Sequence, residues 1–417
     1  MSDPVADQYE AYPYPSRNPQ DEKTRLIDGS PSNLGEVDHY VFGGARDFRL
    51  PFRALVAGGG TGDGAILLAQ KLADRNCPAE IHYLDLSQSS RRIAEARATV
   101  RGLTNIRFHT GSLLDLPALD LGRFDYIDCC GVLHHLADPA AGLAALAGVM
   151  APDGGMGLML YGALGRSGVY EAQAMLKALT PAGEPLSTGI DLAKRLLAQL
   201  PATNTLARNP AIGDYRRGED AALVDLLLHP RDRAYRVAEI AGLVGGAGLE
   251  IVSFINPWRY DPDSYLSDPK LKARLATLPL LMRAGFAEML AGNIKSHICY
   301  VVASGRAASA MARADDPSAI PVLREADGPT LARLIKDDRI AVRSDGLEVS
   351  FALPRLAGAI LSRIDGRQSL AEIGGRMAVE AGIRPAAFDK DFAALYKVMN
   401  GIGQMMIRRR ADGKLGA

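Results

Sequence analysis

Between Ala54 and Ala73 the chain reads "ALVAGGGTGDGAILLAQKLA". A short apolar run enters Gly58, Gly59, Gly60, Gly62 and Gly64, and a stretch with helical periodicity leaves them. Clustered glycines allow positive φ and close approach of a ligand to backbone N–H groups, and a helix start adds its positive end. Two phosphate-binding patterns fail here. No Lys follows the glycines as G-x-x-x-x-G-K-[ST] requires, and Gly58, Gly60 and Gly62 give G-x-G-x-G instead of the dinucleotide spacing G-x-G-x-x-G. Asp85 ends a second apolar run, "EIHYL", about twenty residues further on, where a carboxylate accepts the two hydroxyls of a ribose. Ser87, close behind, is a candidate helix N-cap. The expected ligand carries a nucleoside; a tight strand-to-helix turn with no ligand, and Asp85 as a turn or N-cap residue, are the alternatives.

Groups able to move protons stand further along. His134 and His135 titrate near neutral pH and are candidate bases, although packing at the sheet edge for one and pocket lining for the other is the favoured expectation. Strand alternation puts Asp125 at the start of "FDYIDCC", away from the site, and Asp128 nearer to it in a structural role. Cys129 and Cys130 are read as core, since no cationic neighbour would depress a thiol pKa. Tyr161 and Arg166 end the fifth strand, facing an acceptor. Near the N-terminus, "YEAYPYPSRNP" carries Tyr9, Tyr12 and Tyr14 within six residues. Tyrosines supply rigid contact area and can hold a cation over their rings, so this arm is either a lid over the site or a proline-rich surface segment.

These residues need elements to hold them. Apolar runs "RALVA", "EIHYL", "NIRFH", "FDYIDCC" and "GGMGLMLYG", the last opened by a turn at "PDGG", alternate with helical patterns. Alternation of this kind predicts an α/β fold with a parallel sheet covered by helices on both faces. Helical segments broken at "TPAGEP" and "ARNPAIGDY" fill about 166–230; strands "LEIVSFI" and "HICYVVASG" then flank a second insertion at about 257–295. Residues 1–50 read as an irregular arm, 51–311 as the core, "ARADDPSA" as a linker and 312–417 as a small further domain. That domain is expected to hold helical "GPTLARLIKDD", a hairpin turning at "SDG" and three helices. "LLHPRDRAY" reads as a solvated helix approach, and "MMIRRR" as an edge strand ending in solvated charge.

Composition narrows the function. Forty-eight basic residues balance forty-eight acidic ones, which leaves no electrostatic footprint for nucleic acid or an anionic membrane. The four cysteines have neither disulfide-framework nor zinc-ligand spacing, and no metal site is expected. An acidic, proline-rich N-terminus and the lack of any apolar run of roughly 18–20 residues predict a cytoplasmic protein.

Taken in order, the glycine loop, Asp85, "HTGSLLDLP" and "DCCGVLHHLADP" resemble class I S-adenosylmethionine-dependent methyltransferases over roughly residues 50–165. The resemblance implies a Rossmann-like seven-stranded sheet and S-adenosylmethionine as cofactor. It implies that Gly58, Gly60, Thr61, Gly62, Asp63 and Leu86 contact the cofactor, that Asp85 holds the ribose, and that Ser112, Leu113 and Asp115 lie where the family grips adenine. Gly131 and Val132 would border the methionine moiety. The sequence departs from the family at Val56, where an acid usually stands two residues before the first glycine; Asp63 or a residue of the N-terminal arm is the expected substitute. "YEAYPYP", "GRSGVYEAQ", "HPRDRAY" and "GNIKSHICYVV" resemble bacterial methyltransferases that include the rickettsial protein lysine methyltransferases. The segment around "IDGRQSLAEI" resembles PqqD-type winged-helix domains, with Ser369 and Glu372 spaced as a capping box. A protein or peptide acceptor such as lysine follows from the resemblance; a small-molecule acceptor and a non-catalytic, cofactor-binding regulator are the alternatives. Tyr12, Tyr14, His134, His135 and Tyr161 are the catalytic candidates, and the helical insertions offer surface for a homodimer.

Overall fold

The computed structural model describes residues 4–409 apart from 182, 214, 216 and 217; Arg410 of "MMIRRR" lies outside them. Five strands, β1 (Phe52–Ala57), β2 (Ala79–Asp85), β3 (Ile106–Thr110), β4 (Phe124–Cys130) and β5 (Met150–Tyr161), run parallel. Two more, β6 (Leu249–Ile255) and β7 (Ser296–Ala303), complete a seven-stranded sheet in the order β3-β2-β1-β4-β5-β7-β6, with β7 antiparallel to both neighbours. This is the expected Rossmann-like methyltransferase sheet.

Alternation along β1 explains why the sheet is covered twice. Leu55 and Ala57 point into one apolar core with Leu143 and Ile240. Ala54 and Val56 point into the other with Leu68 and Val37. Both faces of a strand buried in this way read as a continuous apolar run. Strand β5 begins earlier than expected. Its pairing with β4 jumps from Phe124–Met150 to Tyr126–Gly155, so "APDG" bulges within the strand where a turn was expected.

The order of strands reverses between β1 and β4, which are hydrogen-bonded neighbours. The crevice beyond their carboxyl ends is where open α/β sheets bind ligands. Gly58 and Gly131 open the two loops there.

The arm is more ordered than its composition suggested. It holds a helix at Pro4–Ala11, a 3-10 turn at Pro19–Lys23 and a helix at Leu34–Val41 capped by Asn33. Its stability comes from tertiary contacts. Buried Glu22 takes Arg97 at 2.6 Å and Arg101 as well, Arg17 pairs with Asp63 at 2.6 Å, and Glu10 accepts from Ser87 and Ser89. Charged residues read as loop when their partners are far away in sequence.

The first insertion carries helices Val169–Leu179, Leu186–Ala198, Thr205–Arg208 and Asp220–Leu227 around an apolar cluster of its own, against which Tyr12 packs. "LLHPRDRAY" is not a solvated approach: His229 is buried, and Asp232 makes a 2.5 Å ion pair with Arg166 in which both side chains are almost fully covered.

Towards the C-terminus, β8 (Ile320–Leu323) pairs with β11 (Met405–Arg408), and β9 (Arg339–Ser344) with β10 (Leu347–Ala352). Asp345 and Gly346 both have positive φ at the β9–β10 turn, as a two-residue hairpin of this type needs. Helices Ala357–Leu361, Leu370–Ala381 and Pro385–Gly401 follow, the second with the Ser369–Glu372 capping box. Residues 312–319 do not hang free as a linker. Ala312 and Ala319 are buried, and the Ala312 N–H donates to the carbonyl of His39.

Candidate functional site

A cavity of about 420 Å³ lies over the β1–β4 crevice. Its floor is the glycine loop. Gly58 has φ +73°, and a Cβ there would sit 2.2 Å from Val132 Cγ2, so any side chain would close the gap between the two loops. Gly60 donates its N–H to Asp85 Oδ2 at 2.7 Å, and Ser87 donates its own to Oδ1 at 2.8 Å. Asp85 is thereby fixed at the end of β2 beside the loop, with lone pairs left for hydroxyl donors. Ser87 also caps the following helix, accepting from Ser90. Burial raises the Asp85 carboxyl, and backbone hydrogen bonds oppose the shift.

Gly58, Gly60, Thr61, Asp63, Asp85, Leu86, Ser112, Leu113, Gly131 and Val132 all line this cavity. Gly62 does not line it. With φ +103° it starts the helix Asp63–Ala73, packed against Ala94. Asp115 is exposed and away from the cavity, since Ser112 caps a 3-10 turn that carries it outward.

An acid stands beside Val56 on the neighbouring strand. Val56 on β1 is the register partner of Asp128 on β4. Asp128 is buried and lines the cavity; Oδ2 accepts from Ser32, while Oδ1 has no hydrogen-bond partner among the described residues. Burial pushes its carboxyl up to about 6, against the Ser32 hydrogen bond. A buried oxygen without a donor is what an incoming ammonium would satisfy. Asp63, the expected substitute, is already engaged. Arg17 reaches it at 2.6 Å and Arg97 at 2.7 Å; burial opposes its ionisation, but these two hydrogen bonds outweigh it and hold the pKa below the usual range.

The far wall brings together residues distant in sequence. Tyr9, Tyr14, His135, Tyr161 and Asp225 line it. Tyr12, a catalytic candidate in sequence, faces the insertion cluster and not the cavity. His134 is buried behind Tyr161, stacked at 3.8 Å, and burial pushes its pKa well down. His135 stacks on His229 at 3.8 Å with Nδ1 2.9 Å from the carbonyl of Arg231; burial lowers it too. Both histidines therefore favour the neutral form. Arg166 does not reach an acceptor, because it lies over the Tyr161 ring at 3.8 Å and pairs with Asp232. Cys129 is buried as expected, but Cys130 lines the cavity.

The sequence pattern did not bring Asp225 to the cavity, nor Asp128 as more than a structural residue near it. A lone carboxylate within the apolar run "ALVDLLL" was the available signal for Asp225.

The model of a methyltransferase domain matches residues 55–156. An uncharacterized protein of Synechococcus sp. is 32% identical over 297 residues, 68% of this chain and 67% of its own length. The structure of PKMT2 from Rickettsia typhi in complex with AdoHcy superposes with a TM-score of 0.57 at 14% identity, over 86% of this chain and 72% of that one. This chain is a class I S-adenosylmethionine-dependent methyltransferase. A ubiquinone biosynthesis O-methyltransferase of Neisseria meningitidis is 29% identical over 93 residues, 22% of this methyltransferase and 39% of that enzyme. The methyltransferase has, among its described residues, no helix long and apolar enough to cross a membrane and no group of three or more metal-ligating side chains.

The cavity fits the cofactor. Gly58 lets the glycine loop and Val132 approach each other at the cavity floor, and Asp128 Oδ1 has a free acceptor position for an ammonium among the described residues.

Proposed function

We propose that the methyltransferase acts on a side chain of a protein or peptide. In this reading Asp85 and Leu86 hold the ribose, Ser112 and Leu113 the adenine, and Asp128, beside Gly58 and Gly131, the amino-acid part of the cofactor. Bound S-adenosylmethionine supplies an electrophilic methyl group. The chain's own task is then to align an acceptor with it and exclude water, which can supply much of the rate.

The size of the cavity carries the choice of acceptor. At about 420 Å³ it lies near the lower end of the range for a single ligand, so the cofactor fills most of it. A narrow side chain reaching past Tyr9 and Tyr14 fits the remaining space better than a second whole metabolite. A small-molecule acceptor is the second reading. It is favoured by the helices of the first insertion, which roof the far wall through Asp225.

The test is to incubate the protein with methyl-labelled cofactor and a bacterial lysate separated by size. Label in macromolecular fractions, mapped by mass spectrometry to a side chain, is the expected result. Label confined to the small-molecule fraction would establish the second reading instead.

A further inference from the structure

The charges facing the cavity are one-sided. Asp63, Asp85, Asp128 and Asp225 line it, and no Lys or Arg does among the described residues. Three of these acids have work: Asp63 is paired with two arginines, Asp85 is tied to the glycine loop, and Asp128 sits across from Val56. Asp225 remains. It comes from the helix Asp220–Leu227, is 5% exposed and makes no ion pair among the described residues.

Two phenols hold it. Tyr9 donates to Oδ1 at 2.9 Å and Tyr161 donates to Oδ2 at 3.0 Å. Each oxygen keeps a lone pair for a further donor. Tyr14 and His135 line the same cavity as Asp225 and these two tyrosines. A buried carboxylate held by two phenols, in a cavity that no Lys or Arg lines among the described residues, is complementary to an ammonium group through charge and charge-assisted hydrogen bonds. It is repulsive to a carboxylate or phosphate acceptor.

We propose that Asp225, held by Tyr9 and Tyr161, is the seat of an alkylammonium acceptor such as a lysine side chain, and takes its proton before methyl transfer. This rests on the methyltransferase reading given above and specifies its acceptor. The ammonium donates to Asp225, and one N–H proton passes to the carboxylate. The neutral nitrogen then attacks the methyl carbon. An N–C bond forms as the C–S bond breaks, and the C–S electron pair stays on sulfur as the thioether. The product is a methylammonium, and the proton leaves Asp225 for solvent when product departs. Burial raises the Asp225 carboxyl, which suits a proton acceptor, while a cation arriving beside it favours the carboxylate form.

The test uses full-length protein saturated with S-adenosylhomocysteine, titrated in a calorimeter with Nα-acetyl-lysine amide, Nα-acetyl-norleucine amide and Nα,Nε-diacetyl-lysine amide. The lysine amide should bind, and the two probes without an ammonium should not. Asp225→Asn keeps the shape of the side chain and should weaken lysine amide binding about ten- to hundredfold, with Tyr9→Phe weakening it less. Both variants should keep the affinity of wild type for S-adenosylhomocysteine, which also reports that they are folded. Equal binding of the norleucine probe, no binding of the lysine probe, or unchanged binding in Asp225→Asn would overturn the proposal. Failure of the wild type to bind S-adenosylhomocysteine would instead overturn the methyltransferase reading beneath it.

Discussion

In the proposed reading Asp85 holds the ribose and Asp128 the amino group of the cofactor, and each makes a separable prediction. Asp85→Ala removes acceptors for ribose hydroxyls and loosens the Gly60 N–H. Hydrogen bonds to a charged group are worth about 1.5–3 kcal/mol each, so calorimetry should show cofactor affinity falling at least about tenfold. Asp128→Asn should weaken S-adenosylhomocysteine but leave 5′-methylthioadenosine, which has no amino-acid part, nearly unchanged. The same comparison has a pH signature. The Asp128 carboxyl is raised to about 6, so it is charged above that value and becomes protonated as pH falls through it. Affinity for S-adenosylhomocysteine should drop in that window, while that for 5′-methylthioadenosine stays level. Equal pH dependence for both ligands would remove Asp128 from the amino-group site. Asp85 was legible as a cavity residue, because its place depends on a spacing within one chain segment. The role proposed for Asp128 was not, because it depends on which residue lies beside Val56 across the sheet.

Segments with little periodicity became elements because of what they touch. The arm is pinned over the glycine loop: Thr61 Oγ1 donates to the carbonyl of Pro15 at 2.7 Å, and the Tyr9 carbonyl accepts from Ser87. Glu22 is its deepest anchor, almost fully covered between Arg97 and Arg101. Breaking a buried ion pair from one side strands the other charge and costs roughly 3–5 kcal/mol. Glu22→Ala should therefore lower the urea midpoint, and limited proteolysis should cut first within residues 12–30. A midpoint equal to wild type would mean that Arg97 is carried by Asp63 alone. At the loop itself, Gly58→Ala meets both a positive φ and Val132, and the backbone conformation alone costs roughly 1–3 kcal/mol. Thermal melting should detect this loss, together with loss of cofactor binding. The five parallel strands were legible because doubly buried strands announce themselves as apolar runs; the helices at Pro4–Ala11 and Leu34–Val41 were not, because their stability is contributed from elsewhere.

Across the whole molecule, the C-terminal segment and the cofactor wall are one structure. Arg324, beside β8, reaches Glu36 and Asp28, and the cavity-lining residues Gly29, Ser30, Pro31 and Ser32 lie between those two acids. Glu36 is fully buried and also accepts from Tyr300 at 2.8 Å. His39 bonds both the N–H of Ile407 and the Tyr396 hydroxyl. Removing residues after 312 would uncover Glu36 and His39, so truncation should lower both the melting temperature and cofactor affinity rather than acceptor affinity alone. Differential scanning calorimetry with and without S-adenosylhomocysteine distinguishes these outcomes; an unchanged cofactor-induced shift would show the wall to be independent.

By itself the sequence determined the sheet, the glycine loop and the place of Asp85 beside it, because each depends on periodicity or spacing between residues near one another in the chain. It also placed tyrosines in the arm, without saying which of them turn inward. Only the tertiary structure decided that Tyr9 and Tyr14 face the cavity while Tyr12 leaves it, that Asp128 lies beside Val56, and that Asp225 meets Tyr161 and, 216 residues away, Tyr9. Those outcomes depend on strand register and on how an insertion docks, and both are set by packing contacts between segments whose local patterns carry no record of each other.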